Sequence, residues 1–160
     1  MNVAQVMTHN VECMRPDASL TAASRKMKKL DIGSLPVCGD NDRLIGMITD
    51  RDICMAAYTR GRPLSELAAS GAMSTRLFTC RQGDTLRSAM DLMSARQVRR
   101  VPVVDDDGKL VGIVSLADLA RLSQAPTAHS QEARAWLSGV LAGISEPPGA
   151  HAQPGSAAPS

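Results

Sequence analysis

The stretch Gly46-Met47-Ile48-Thr49-Asp50-Arg51-Asp52 occurs a second time, 66 positions later, as Gly112-Ile113-Val114-Ser115-Leu116-Ala117-Asp118. Both stretches carry a glycine, an apolar run, a hydroxyl residue and an aspartate at the same spacing. When the alignment is extended without a gap, residues 6–53 lie over residues 72–119 with eleven identical pairs. Unrelated segments of ordinary composition share roughly three over such a span. The chain therefore contains an internal repeat, and the repeat decides the fold.

Each copy has the same order of predicted elements. A short extended segment (residues 11–14 and 77–80) precedes a helix whose apolar residues, such as Leu20, Ala23 and Met27, recur at helical spacing. A strand with a Leu-Pro-Val or Val-Pro-Val core, a polar turn and a return strand follow, and a second helix begins at Thr49 or Ser115. One copy buries too little apolar surface to be stable alone. We therefore predict an α+β fold in which two β-α-β-β-α repeats pack sheet to sheet as an intramolecular pseudo-two-fold pair.

The repeats divide the chain into four predicted segments. Residues 6–58 form the first repeat, residues 59–71 a linker, residues 72–123 the second repeat, and residues 124–160 a C-terminal arm. Within the arm, residues 130–144 place Trp136 and four aliphatic residues on one helical stripe, which predicts a further helix that docks on the module or on a partner. From residue 146 onward Pro, Gly, Ala and Ser predominate, which is typical of a disordered tail.

The composition excludes several classes of protein. Only 2% of the 160 residues are aromatic, and 18 Lys and Arg stand against 16 Asp and Glu. Neither base-stacking platforms nor a strong attraction to nucleic acid or membranes is expected from these values. The four cysteines form no metal or redox motif, which indicates reduced, mostly buried thiols. Without a signal peptide pattern or a long apolar run, a cytoplasmic protein is expected.

No catalytic constellation is found in the sequence. The three histidines are scattered, and there is no nucleophile elbow, P-loop or paired-histidine metal motif. The run Asp105-Asp106-Asp107 precedes Gly108, which indicates a hairpin turn rather than a metal site. We therefore expect no enzyme activity, no bound metal and no required cofactor.

The repeated stretch has two chemical interpretations. A strand that ends at Thr49 delivers a hydroxyl to the first turn of a helix, where free N–H groups favour an anion such as phosphate. Asp52 can accept both hydroxyls of a ribose, Arg51 adds charge for a phosphate, and Gly46 allows a ligand to approach the backbone. The alternative is a plain helix cap, because Thr-x-x-Asp also resembles a capping box. The residues leave both interpretations open.

The two copies together resemble the CBS domain, a family named after cystathionine β-synthase. The resemblance rests on Met7-Thr8, Leu35-Pro36-Val37, the stretch from Gly46 to Asp52 and their second copies, and it covers residues 6–122 as a tandem pair, or Bateman module. It is similar above all to small stand-alone bacterial members. The resemblance implies a regulatory module that binds adenosine-containing ligands such as AMP, ADP, ATP or S-adenosylmethionine between its repeats, and it implies a homodimer.

The resemblance also implies roles for individual residues. A basic side chain before the Val-Pro step, here Arg99, reaches ligand phosphates; the first copy has Gly33 there, so the two pockets differ in charge. A threonine in the extended segment faces the ligand, which Thr79 matches and Cys13 does not. Ile32 and Val98 line an adenine slot or belong to the core alone. The predicted ligand-binding residues are Thr49, Arg51, Asp52, Ser115, Asp118, Thr79, Arg99, Ile32 and Val98.

Two other functions compete with this prediction. The same fold can serve as a dimerisation scaffold without a ligand. A nucleic-acid-associated regulator is a further alternative, supported only by the local positive charge of Arg96, Arg99 and Arg100. The sequence identifies neither the physiological nucleotide nor the regulated partner, and it does not say how many pockets are occupied.

Overall fold

A computed structural model describes residues 1–126 and 129–145. The first repeat contains α1 (Leu20–Leu30), β1 (Ser34–Cys38), β2 (Leu44–Thr49) and α2 (Asp50–Arg60). The second contains β3 (Cys80–Arg81), α3 (Leu86–Arg96), β4 (Arg100–Val104), β5 (Leu110–Ser115) and α4 (Leu116–Gln124), and α5 (Ser130–Ile144) follows it. The predicted α+β class is confirmed. The predicted disordered tail, from residue 146 on, lies outside the described residues.

The strand pairing has the same register in the two repeats. β1 pairs with β2 as an antiparallel hairpin with Pro36 opposite Met47, and β4 pairs with β5 with Pro102 opposite Ile113. In the second repeat, β3 adds a parallel strand beside β4. Polar turns join the hairpins, and Gly108 adopts a left-handed conformation (φ +78°) that favours glycine.

The extended segment of the first repeat is not a strand, in contrast to the prediction for residues 11–14. A single parallel bridge joins Met14 to Val37, with Met14 N donating to the Pro36 carbonyl and Cys38 N donating to the Met14 carbonyl, both at 2.9 Å. The next donor of such a ladder would be residue 16, which is proline and has no N–H. The second repeat has Gln82 at the equivalent position, and β3 forms there, although it is only two residues long.

Each repeat has its own apolar core built from equivalent positions. Leu20, Leu35 and Ile48 are fully buried in the first core, and Leu86, Val101 and Val114 occupy the same places in the second. α5 lies against α3 and α4, where Trp136, Leu137 and Ile144 pack on the second core. The module itself therefore covers the predicted stripe of the C-terminal arm except for Leu141, which is 46% exposed.

The leading segment of each repeat, which contains Thr8 or Ser74, pairs with the return strand of the other repeat. Thr8 and Ile113 exchange two backbone hydrogen bonds of 2.8 and 3.0 Å, and Ser74 and Met47 do the same at 2.8 and 3.0 Å. This exchange joins the two repeats along β2 and β5.

Gly46 makes room for this exchange and not for a ligand. A Cβ atom at Gly46 would overlap the Met73 sulfur, and at the equivalent position a Cβ at Gly112 would overlap the Met7 sulfur. The close approach that the sequence interpretation assigned to a ligand is thus made by the chain's own methionines.

Candidate functional site

A cavity of about 640 Å³ lies between the repeats. The first repeat contributes residues 33–34 and 49–52 to its wall, and the second contributes residues 76–78 and 97–100. Five of the nine predicted ligand-binding residues line this cavity, namely Thr49, Arg51, Asp52, Val98 and Arg99. Because both repeats supply the wall, the cavity exists only in the assembled pair.

Thr49 and Asp52 form the helix cap of α2. Asp52 Oδ2 accepts hydrogen bonds from Thr49 N and Thr49 Oγ1, each at 2.8 Å, and Asp52 N donates to Thr49 Oγ1 at 3.1 Å. The capping-box interpretation is therefore confirmed. The cap uses only one carboxylate oxygen, however, since Asp52 Oδ1 receives no hydrogen bond from the described residues. A ligand hydroxyl can donate to that oxygen without disturbing the helix start.

Ser34 carries a buried hydroxyl in the same wall. The residue is 6% exposed, and in the part of the chain that the structure describes its Oγ is the one buried side-chain nitrogen or oxygen without a hydrogen-bond partner. A buried polar group left unpaired costs about 1–3 kcal/mol. A polar ligand group in the cavity would remove that cost.

Arginines dominate the charge of the cavity. Arg51, Arg76, Arg99 and Arg100 line it, and none of the four forms an ion pair with a carboxylate among residues 1–126 and 129–145. Asp50 and Asp52 are the acidic residues of the wall, so its side chains carry a net charge of +2. The site is suited to an anion.

Phe78 brings an aromatic ring to the wall, and the sequence interpretation missed it. The guanidinium carbons of Arg76 and Arg96 lie 5.5 and 4.9 Å from the ring centroid, which is cation–π geometry. A signal was available, because residues 76–78 directly precede Thr79, which had been predicted to face the ligand. The exchange of leading segments, which brings residues 74–78 to the first repeat, was not predicted.

Four predicted residues lie away from this cavity. Thr79 is exposed and is not part of the wall, and Ile32 is half-buried against the first core. Ser115 and Asp118 do not line the cavity, and they hold the positions in the second repeat that correspond to Thr49 and Asp52. Their contacts with a ligand stay predictions.

Asp118 differs from Asp52 in that its own chain occupies both carboxylate oxygens. Oδ2 accepts from Ser115 N at 2.8 Å and from Ser115 Oγ at 2.6 Å. Oδ1 accepts from Thr8 Oγ1 at 3.2 Å and from the guanidinium of Arg121. Asp118 is only 5% exposed as a result. The two equivalent aspartates therefore have unequal capacity for a ligand.

All four cysteines are free thiols, but their surroundings differ. Burial and the neighbouring Cys13 raise the pKa of Cys38 to about 12, and burial raises the pKa of Cys80 to about 11. Cys13 is half-buried and Cys54 is exposed, so only two thiols are buried as predicted. Within residues 1–126 and 129–145, no group of three or more His, Cys, Asp or Glu side chains is placed to hold a metal ion. None of the described helices has the length and apolar character to cross a membrane.

The fold and the site together define a tandem-repeat ligand-binding module whose cavity is shared by both repeats. The family model of the CBS domain matches residues 3–58 and 65–125, and the chain belongs to the CBS-domain family.

Small stand-alone proteins are among the relatives. Hypoxic response protein 1 of Mycobacterium tuberculosis is 39% identical over 116 residues, which cover 72% of this chain and 80% of the relative. The CBS domain-containing protein YhcV of Bacillus subtilis is 38% identical over 119 residues, covering 74% of this chain and 83% of the relative. The predicted resemblance to small bacterial CBS proteins is confirmed.

Solved structures of CBS domain pairs superpose on this chain. CBSX2 in complex with AMP has a TM-score of 0.68 and 27% identity, covering 76% of this chain and 95% of CBSX2. The CBS domain pair of MJ0100, in complex with 5'-methylthioadenosine and S-adenosyl-L-methionine, has a TM-score of 0.69 and 25% identity, covering 76% and 94%. Hypoxic Response Protein I with two coordinated zinc ions has a TM-score of 0.70 and 36% identity, covering 79% and 100%.

Proposed function

We propose that this chain is a regulatory module that binds an adenosine-containing ligand of the AMP, ADP or ATP class in the cavity between its repeats and catalyses no reaction. One observation carries the proposal: Asp52, whose Oδ1 atom accepts no hydrogen bond from the described residues, lines a cavity together with four arginines that form no ion pair with a described carboxylate. A carboxylate oxygen suits ribose hydroxyls and guanidinium groups suit phosphates. Ligands of CBSX2 and MJ0100 support the class, since all three contain adenosine.

Different residues of the cavity wall bind different parts of the ligand. Asp52 accepts hydrogen bonds from the ribose, and the arginines bind phosphate. Val98 and Pro102, which line the same cavity, offer apolar surface to the adenine, and Ser34 Oγ gains a hydrogen-bond partner. Each of these roles uses an atom or surface that the protein leaves unsatisfied.

Occupancy of the cavity can be transmitted because the wall joins both repeats. A ligand that contacts both halves favours the arrangement in which those contacts are best, and this difference in affinity is what shifts a conformational equilibrium.

We also propose a homodimer in which a second copy covers α1 and α2. On α2, Met55 is 48% exposed and Tyr58 is 84% exposed. The equivalent residues on α4 are the polar Arg121 and Gln124, and α5 already covers the α3 and α4 side of the molecule. Met55 and Tyr58 are thus uncovered on the repeat against which no helix of the C-terminal arm packs.

Thermal unfolding with AMP, ADP, ATP and S-adenosylmethionine tests the ligand proposal. A ligand at about 100 times its dissociation constant stabilises the folded state by about 2.7 kcal/mol. The ligand-induced shift should be much smaller in Asp52→Asn, each variant being compared with its own ligand-free form. Asp42→Asn makes the same chemical change in an exposed turn outside the cavity and should keep the full shift. If none of the four compounds raises the melting temperature at millimolar concentration, the ligand-free scaffold is the better assignment.

A further inference from the structure

We infer that each chain binds one nucleotide, in the cavity around Thr49–Asp52, and that this cavity selects a ligand with two or more phosphates. The inference rests on the proposed function and specifies its ligand and its stoichiometry. Three observations carry it. They are the positive charge of the arginines around the cavity, the residues at the equivalent positions of the other repeat, and the hydrogen bonds that occupy the carboxylate of Asp118.

The positive charge around the cavity exceeds what a single phosphate can neutralise. Four arginines line the cavity, and two carboxylates offset part of their charge. The wall carries a net charge of +2, and Arg96 beside Phe78 adds a further positive charge. A phosphate monoester carries about −1.5 to −2 at pH 7. With Arg96 included the net charge is +3, which a single phosphate leaves partly unneutralised and a diphosphate or triphosphate can neutralise.

A second cleft built from the equivalent residues would lack two of the four arginines. Arg51 and Arg76 correspond to Ala117 and Asn10 in the repeat alignment. Phe78, stacked against two guanidinium groups, corresponds to Glu12, whose pKa is lowered by its hydrogen bond and ion pair with Lys26. The second cleft therefore offers a phosphate chain fewer cations and an additional carboxylate.

Asp118 completes the asymmetry, because the chain occupies the acceptor that a ribose would need. Thr8 and Arg121 bond to its Oδ1 atom, while the equivalent atom of Asp52 accepts no hydrogen bond from the part of the chain that the structure describes. The residue equivalent to Arg121 is Met55, which cannot donate such a bond. A ligand in the second cleft would have to displace an existing ion pair, and a ligand in the first would not.

Isothermal titration calorimetry of the full chain with adenosine, AMP, ADP and ATP tests both parts. We expect one ATP per chain and an affinity that rises at least tenfold from AMP to ATP, with the gain shrinking as salt is added. Adenosine or AMP binding as tightly as ATP would overturn the selection for phosphates. Two ATP molecules per chain would overturn the single site.

Replacing cavity arginines with the residues of the other repeat isolates the phosphate contacts. Arg99→Gly and Arg100→Ser introduce the residues found at positions 33 and 34, which the same fold accepts. Each should weaken ATP at least tenfold and change adenosine affinity by less than about twofold. Arg25→Ala removes an exposed arginine of α1 outside the cavity and should leave ATP affinity within about twofold. If all three variants lost the same ATP affinity, the loss would come from the overall charge of the protein and not from contacts in the cavity. That result would overturn the inference.

A titration with tripolyphosphate separates this inference from the proposed function. Tripolyphosphate should bind more weakly than ATP, because it lacks the ribose and the adenine. If it binds as tightly as ATP, adenosine is not recognised and the proposed function fails while the polyanion site stands. If no compound of the series binds, both fail.

Discussion

Gly46→Ala tests the contact that joins the two repeats. A methyl group at this position would overlap the sulfur of Met73 and would lie 3.2 Å from the carbonyl oxygen of Ser74. Ser74 is also the residue that exchanges two backbone hydrogen bonds with Met47. The substitution therefore pushes the leading segment of the second repeat away from β2, and with it Met73, which packs on the first core.

The expected loss follows from two opposing contributions. Placing an extra methyl group in a well-packed site costs about 1–3 kcal/mol, and replacing glycine restricts the unfolded chain and returns about 0.4–1 kcal/mol. The net loss in the free energy of unfolding is then about 1–2 kcal/mol. For a chain of this length, each kcal/mol corresponds to about 2–4 °C. We expect the melting temperature to fall by about 2–8 °C.

Differential scanning calorimetry with a matched glycine provides the measurement. Nothing lies within 4 Å of a Cβ built at Gly83, so Gly83→Ala should leave the melting temperature unchanged or slightly higher. The double variant Gly46→Ala/Met73→Ala should lose less free energy of unfolding than the two single variants lose together. We expect this difference, the interaction energy of the pair, to be at least about 0.5 kcal/mol. A melting temperature of Gly46→Ala equal to that of Gly83→Ala would refute the contact. Lost nucleotide binding at unchanged stability would show instead that a ligand occupies this space.

Three further measurements address other parts of the chain. The free energy of unfolding should fall as pH rises from about 9 to 11, because the buried Cys38 and Cys80 thiols stay protonated while the unfolded thiols ionise near their ordinary pKa of 9.0. Each thiol contributes up to about 1.4 kcal/mol per pH unit, and a flat urea-denaturation profile over this range would contradict it. Trp136→Ala should destabilise the chain by about 2 kcal/mol through lost packing on the second core, whereas Leu141→Ala, at a 46% exposed site on the same helix, should cost little in the same thermal scan. Tyr58→Glu should shift a dimer to monomer in sedimentation velocity, and a wild-type monomer at micromolar concentration would exclude the proposed interface.

The repeat made most of the fold predictable. Apolar spacing places Leu20, Ala23 and Met27 on one helix face and their equivalents on another, and the structure buries both sets in equivalent cores. Such local patterns are informative because every residue of a helix or hairpin contacts neighbours close in sequence. When the same apolar spacing occurs in both copies, much of the ambiguity between helix and strand that a single short segment leaves is removed.

The site was less predictable because its contacts are long-range. Arg76 and Phe78 reach the cavity only because Ser74 pairs with Met47 of the other repeat. Nothing in the local pattern of residues 74–78 indicates which strand they join. Pro16 explains why the ladder ends at the single bridge of Met14, whereas the residues before the bridge, 11–13 in the first repeat and 77–79 in the second, belong to no strand although the sequence predicted extended segments there.

Duplication explains how one chain can hold a free aspartate and an occupied one in the same motif. The cap needs only one carboxylate oxygen, and both copies keep it, with Oδ2 bound to Thr49 or Ser115 in the same way. The second carboxylate oxygen does not contribute to the cap. The residues around this oxygen can therefore be substituted without loss of the helix start. Arginine at position 121, where the first copy has Met55, uses this freedom to pair with Asp118. The motif shared by the repeats therefore accounts for the two equivalent helix starts, and the residues that differ between them account for the different surroundings of Asp52 and Asp118.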